Sequence, residues 1–88
     1  MKMVIAIIRD IDSEPVSKAL IDLGFRVTRV ASTGGFLRRG STTLMIGLEE
    51  EKVEEAIQVI RKNTTIPDEP GTKRATLFVL PVERYSQL

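Results

Sequence analysis

The residues best suited to chemistry lie in one short stretch, Thr33-Gly34-Gly35-Phe36-Leu37-Arg38-Arg39-Gly40-Ser41-Thr42-Thr43. Three glycines, two adjacent arginines and four hydroxyl residues are gathered there. Glycine tolerates positive φ and lets a ligand come close to the backbone. Successive backbone N–H groups in such a turn can cradle an anion, and arginine can pair with it. A neighbouring Phe-Leu pair could cover something flat and apolar. The chemistry suggested is the holding of a phosphate-bearing ligand. A flexible hairpin connection is the plainer alternative.

The elements on either side decide what this loop is not. Gly35-x-x-x-x-Gly40-Ser41-Thr42 comes near a P-loop but lacks its lysine, since Ser41 follows Gly40 directly. A P-loop also leads from a strand into a helix, whereas the run after this loop reads as another strand.

Composition narrows the chemistry further. The chain has 88 residues, no Cys and no His. Ser-His and Cys-His nucleophiles are therefore impossible within it, and general acid–base work would fall to carboxylates, lysine or Tyr85. Enzymatic roles are narrowed by this but not excluded. Disulfides are excluded, and so are the common soft metal ligands. A domain this small has a marginal core by itself, and 42% apolar composition points to oligomerisation as its support. The net charge of +1 gives no global attraction to nucleic-acid polymers or membranes. The apolar start, Met3 to Ile8, is too short for a signal-peptide core and is followed at once by Arg9-Asp10. A cytoplasmic protein of one domain, residues 1–88, is expected.

The chain reads as six elements. Met3 to Ile8 is continuously apolar and β-branched, which suits a central strand. Asp10, Asp12 and Ser13 are turn and N-cap residues, and Pro15 suits a first helical turn. Val16, Ala19, Leu20 and Leu23 recur at helical spacing, and Gly24 ends the helix. Phe25 to Ser32 is a second strand, with Arg26, Thr28 and Val30 on one side and Phe25, Val27 and Arg29 on the other. After the glycine loop, Thr43 to Leu48 is a third strand. Its Gly47 marks close approach by something else. Glu49 to Glu51 open a second helix with the stripe Val53, Ala56, Ile57 and Ile60. Asn63 to Lys73 is a loop, and Ala75 to Val82 is the last strand. The order βαββαβ predicts an α+β, ferredoxin-like fold, an antiparallel four-stranded sheet with both helices on one face. The other face is too apolar to stay in water, again favouring self-association. An RNA-recognition module has the same order, but it stacks bases on aromatics in its first and third strands, and none is present there.

Other charged residues have ordinary explanations. Arg26 with Thr28, and Arg38 with Arg39, fit a ligand or a solvated surface equally well. Glu49–Glu51, Glu54 and Glu55 read as a solvated helix face. Asp10 and Asp12 fit turn and capping duty better than an acid–base pair.

Several segments together resemble one family. They are Met1-Lys2-Met3-Val4-Ile5-Ala6-Ile7, Asp10-x-Asp12-Ser13, Phe25-Arg26-Val27-Thr28, Ala31-Ser32-Thr33-Gly34-Gly35-Phe36-Leu37-Arg38-x-Gly40-x-Thr42-Thr43 and Phe78-Val79-Leu80-Pro81-Val82. They are similar to the PII-like cyclic di-AMP receptors of bacteria, without gaps from Met1 to about Ile60 and again from Ala75 onward. The resemblance implies a homotrimer that binds cyclic di-AMP at its subunit seams, needs no cofactor, and is read by an unidentified protein partner through reordered loops. It carries ligand contacts to Gly24, Arg26, Thr28, Gly35, Phe36, Leu37, Ser41, Gly47 and Gln87. The family usually has Asn at positions 24 and 41 and a longer loop after the second helix. These departures leave a second expectation open: a trimeric PII-like interaction module with lost or altered nucleotide specificity, such as ATP or ADP.

Overall fold

A computed structural model describes residues 1–30, 40–66, 71 and 73–88. Its elements are β1 (Lys2–Arg9), α1 (Asp10–Asp22), β2 (Arg26–Val30), β3 (Ser41–Leu48), α2 (Val53–Asn63) and β4 (Ala75–Pro81), with a short 3-10 turn at Glu50–Lys52 before α2. The four strands form one antiparallel sheet in the order β2-β3-β1-β4. This is the expected ferredoxin-like arrangement. The uninterrupted apolar run of β1 is accounted for by its central place, hydrogen-bonded on both sides.

The registers separate two faces. Val4 lies opposite Ile46 and Val79, and Ala6 opposite Leu44 and Leu77. These residues face the helices, since successive strand side chains alternate. Val4, Ala6, Ile8, Leu44 and Ile46 are buried there with Val16 and Leu20 of α1 and Ala56 and Ile60 of α2. Burying an aliphatic side chain of this size contributes about 1.5–3 kcal/mol, so this single layer carries most of the stability.

Among the described residues no helix lies over the opposite face. Its rows run Arg26, Gly47, Met3, Leu80; then Thr28, Met45, Ile5, Phe78; then Val30, Thr43, Ile7, Thr76. Val30, Ile7, Phe78 and Leu80 are exposed on it. The prediction of an apolar open face is met by these residues.

Three local expectations need correction. Helix α1 begins at Asp10, so Pro15 lies inside the helix rather than in its first turn. Proline withholds the N–H that the Ile11 carbonyl would receive. Ile11 is exposed, so water can replace that donor. Asp10 and Asp12 do not cap: the N-cap is Arg9, with no side-chain cap bond. Asp12 is instead 1% exposed, and its Oδ1 accepts from the Thr65 amide and hydroxyl, each at 3.1 Å. Arg9 donates to the Thr65 carbonyl at 2.7 Å and sits 3.6 Å from Asp12 Oδ2. This cluster ties the start of α1 to the chain just beyond α2. Leu23 is 55% exposed, because the helix ends one residue before it and the chain turns away at Gly24.

The remaining boundaries shift by a residue or two. The second helix is preceded by the 3-10 turn, so α2 itself starts at Val53. Near its end, side chains reach two of its carbonyls: Asn63 donates to Val59, while Thr64 and Arg74 donate to Arg61.

Candidate ligand-binding site

At the end of the open face where β2 meets β3, a cavity of about 480 Å³ lies over the sheet. Strand alternation brings its residues together. Arg26 and Thr28 are two apart on β2, and Met45 and Gly47 are two apart on β3. Met3 of β1 lies opposite Gly47. All three methionines of the chain, Met1, Met3 and Met45, line the cavity, and they supply a deformable, polarisable floor.

Gly47 is the low point of that floor. Its φ is not in the left-handed region, so backbone conformation does not require glycine. A Cβ there would meet only the Met1 methyl carbon, at 3.6 Å. The missing side chain therefore creates space over a central strand.

The C-terminal tail closes the other side. Val82 donates to the Met1 carbonyl at 3.0 Å, which returns the chain toward the N-terminal end of β1. Gln87 Oε1 then accepts from Arg26 Nη1 at 3.4 Å and from the Tyr85 hydroxyl at 3.3 Å. Tyr85 lines the cavity beside Arg26 and Thr28. Among the described residues, Arg26 is the one charged side chain in the lining. One guanidinium, two hydroxyls and an amide stand at the rim of an apolar floor. That combination suits a ligand joining an anionic group to a flat apolar one.

A second cavity, about 360 Å³, adjoins the first and shares Met1, Arg26 and Gly47 with it. Gly24 and Leu23 lie on it. Gly24 has φ +90° and follows the helix C-cap, a place where glycine and asparagine are the favoured residues. Nothing lies within 4 Å of a Cβ built there.

The residues expected at the site thus divide. Arg26, Thr28, Gly47 and Gln87 converge, and Gly24 lies next to them. Ser41 does not join them in one chain. It is exposed at the start of β3, six residues from Gly47, or roughly 20 Å at strand rise. Gly35, Phe36 and Leu37 lie outside the described residues, as do Arg38 and Arg39. From the sequence Tyr85 is expected only as an acid–base group, and no site role falls to the methionines. The signal available was weak: one aromatic two residues before a glutamine in a tail without periodicity. On the helix face, Arg29 pairs with Glu14 at 2.9 Å and with Ser13 at 3.0 Å, which makes it a sheet-edge contact to α1. Among the described residues there is no cluster of acidic groups able to hold a metal ion. Among those residues, too, no helix is long and apolar enough to cross a membrane.

Fold and site together define a ligand-binding α+β domain, ferredoxin-like, with a cationic apolar cavity on the uncovered face of its sheet. The chain belongs to the cyclic-di-AMP receptor family: residues 1–70 match the model of that family. Cyclic di-AMP is the ligand of the family. The chain is also similar to a protein of unknown function from Pediococcus pentosaceus ATCC 25745, solved by crystallography. The two are 40% identical, with a TM-score of 0.81, over 99% of this chain and 96% of the other. That likeness reaches past residue 70 and so includes β4 and the tail.

Proposed function

We propose that this protein is a non-enzymatic receptor in which cyclic di-AMP binds at the seams of a homotrimer, and that the bound state is read by a protein partner in the cytoplasm. The whole chain, residues 1–88, acts as one domain. The observation carrying this reading is the Arg26–Gln87 contact at the rim of a methionine-floored cavity, opened by Gly47 on an unpaired sheet face. Arg26 meets a phosphate, Thr28 and Gln87 hydrogen-bond phosphate or base, and an adenine lies over Gly47 and the methionines. Gly24 borders the same space. Ser41, about 20 Å from Gly47 in its own chain, reaches the ligand from the neighbouring protomer. The family resemblance adds Gly35, Phe36 and Leu37 as ligand contacts. The exposed Ile7, Val30, Phe78 and Leu80 support burial of this face between protomers.

Titration calorimetry with cyclic di-AMP tests the reading, with light scattering to fix the oligomer. One ligand per protomer in a trimer is expected. Arg26→Ala should weaken binding about 10- to 150-fold, as removal of a charged hydrogen bond costs about 1.5–3 kcal/mol. Heat with ATP but none with cyclic di-AMP would defeat the proposal.

A further inference from the structure

We infer that Tyr85 is a positioning residue for the ligand, acting through Gln87; the inference rests on the cyclic di-AMP site proposed above. Both hydrogen bonds to the Gln87 side chain among the described residues fall on Oε1: one from Arg26 Nη1 and one from the Tyr85 hydroxyl. Arg26 can only donate, so its contact fixes which end of the amide faces it. The amide nitrogen, with its two donors, is then directed away from Arg26. Those donors suit acceptors such as a phosphate oxygen or an adenine ring nitrogen.

At 3.4 Å the Arg26–Gln87 contact is long, so an arriving anion competes for the guanidinium on favourable terms. A phosphate is the stronger partner of a guanidinium, because both groups are charged. As Arg26 turns to the phosphate, Gln87 keeps the Tyr85 hydroxyl as its anchor. Tyr85 thereby holds a tail side chain, five residues beyond the last tie to the sheet at Val82, in register with the ligand. Its ring is placed for this by lining the cavity itself, beside Thr28 and Met45.

The test is a double-mutant cycle read by calorimetry with cyclic di-AMP, using Tyr85→Phe, Gln87→Ala and the pair. Tyr85→Phe keeps the ring and removes only the hydroxyl, so folding is not at stake. In the parent background it should weaken binding about fivefold, the size of one neutral hydrogen bond. In the Gln87→Ala background it should change binding less than twofold. A second readout comes from the sequence: there is one Tyr and no Trp, so ultraviolet emission reports this ring alone. Gln87→Ala should alter that emission without ligand, which a tyrosine not held by Gln87 would not show. Equal losses in both backgrounds, or none in either, overturn the inference while leaving the receptor reading intact. Failure of the parent protein to bind cyclic di-AMP defeats the receptor reading and this inference with it.

Discussion

Replacing Gly47 by alanine should make the protein more stable and a poorer receptor. Two structural facts fix the directions. Gly47 lies in β3, a strand paired on both sides, at a backbone conformation open to any residue. Glycine in a strand interior costs roughly 0.5–1 kcal/mol relative to alanine, through the freedom it loses on folding. The new methyl group would meet the Met1 side chain at 3.6 Å, an ordinary contact, so no clash offsets that gain. For a domain of this size 1 kcal/mol shifts the melting midpoint by about 4–8 °C, so a rise of roughly 2–8 °C is expected. Binding moves the other way. The methyl group stands where the ligand has to approach, and overfilling a packed contact costs about 1–3 kcal/mol. That is roughly a 5- to 150-fold loss of affinity. Differential scanning fluorimetry and calorimetry on the same sample measure both. A lower melting temperature would show that the fold itself needs Gly47. A higher one with unchanged affinity would show that the ligand never approaches this strand.

Three further outcomes follow from separate features. Gly24→Val should lower stability more than Gly24→Asn, by about 1–2 kcal/mol for Val, because φ of +90° strains any L residue, a β-branched one most and Asn least; thermal melts of the two variants compare them directly. Asp12→Ala should destabilise by about 1.5–3 kcal/mol, since it removes the charged acceptor of two Thr65 donors from a buried position, read as a lower urea midpoint at unchanged slope. Phe78→Asp places a charge on the open face and should convert an oligomer to monomer in light scattering, with the helix-side core left folded.

The sequence disclosed the architecture because its patterns were local and unmixed. Met3–Ile8 is apolar on both faces, and only a central strand uses that. The alternation Arg26, Thr28, Val30 against Val27 and Arg29 was legible residue by residue, and it brought Arg26 and Thr28 to one face. What the sequence hid was non-local. Helix α1 starts at Asp10 without a side-chain cap, so the N-cap rules pointed too far along the chain. Asp12 is held by Thr65, 53 positions away. The tail carried no periodicity, and its return to the sheet is made by contacts distant in sequence, Val82 to Met1 and Gln87 to Arg26. Tyr85 therefore joined the site only in three dimensions. Gln87 and Ser41 were named through the family resemblance, and the fold brings only Gln87 to the Arg26 end of the sheet.

The uncovered sheet face also bears on how such a receptor would be tuned. If protomers complete one another's pockets across that face, only assembled protein is competent to bind. The apparent dissociation constant is then the intrinsic one divided by the assembled fraction. Halving that fraction doubles the messenger level needed for the same response. Sensitivity would thus be set partly by how much of the protein the cell makes. By the same linkage, cyclic di-AMP would draw scattered protomers together as its level rises.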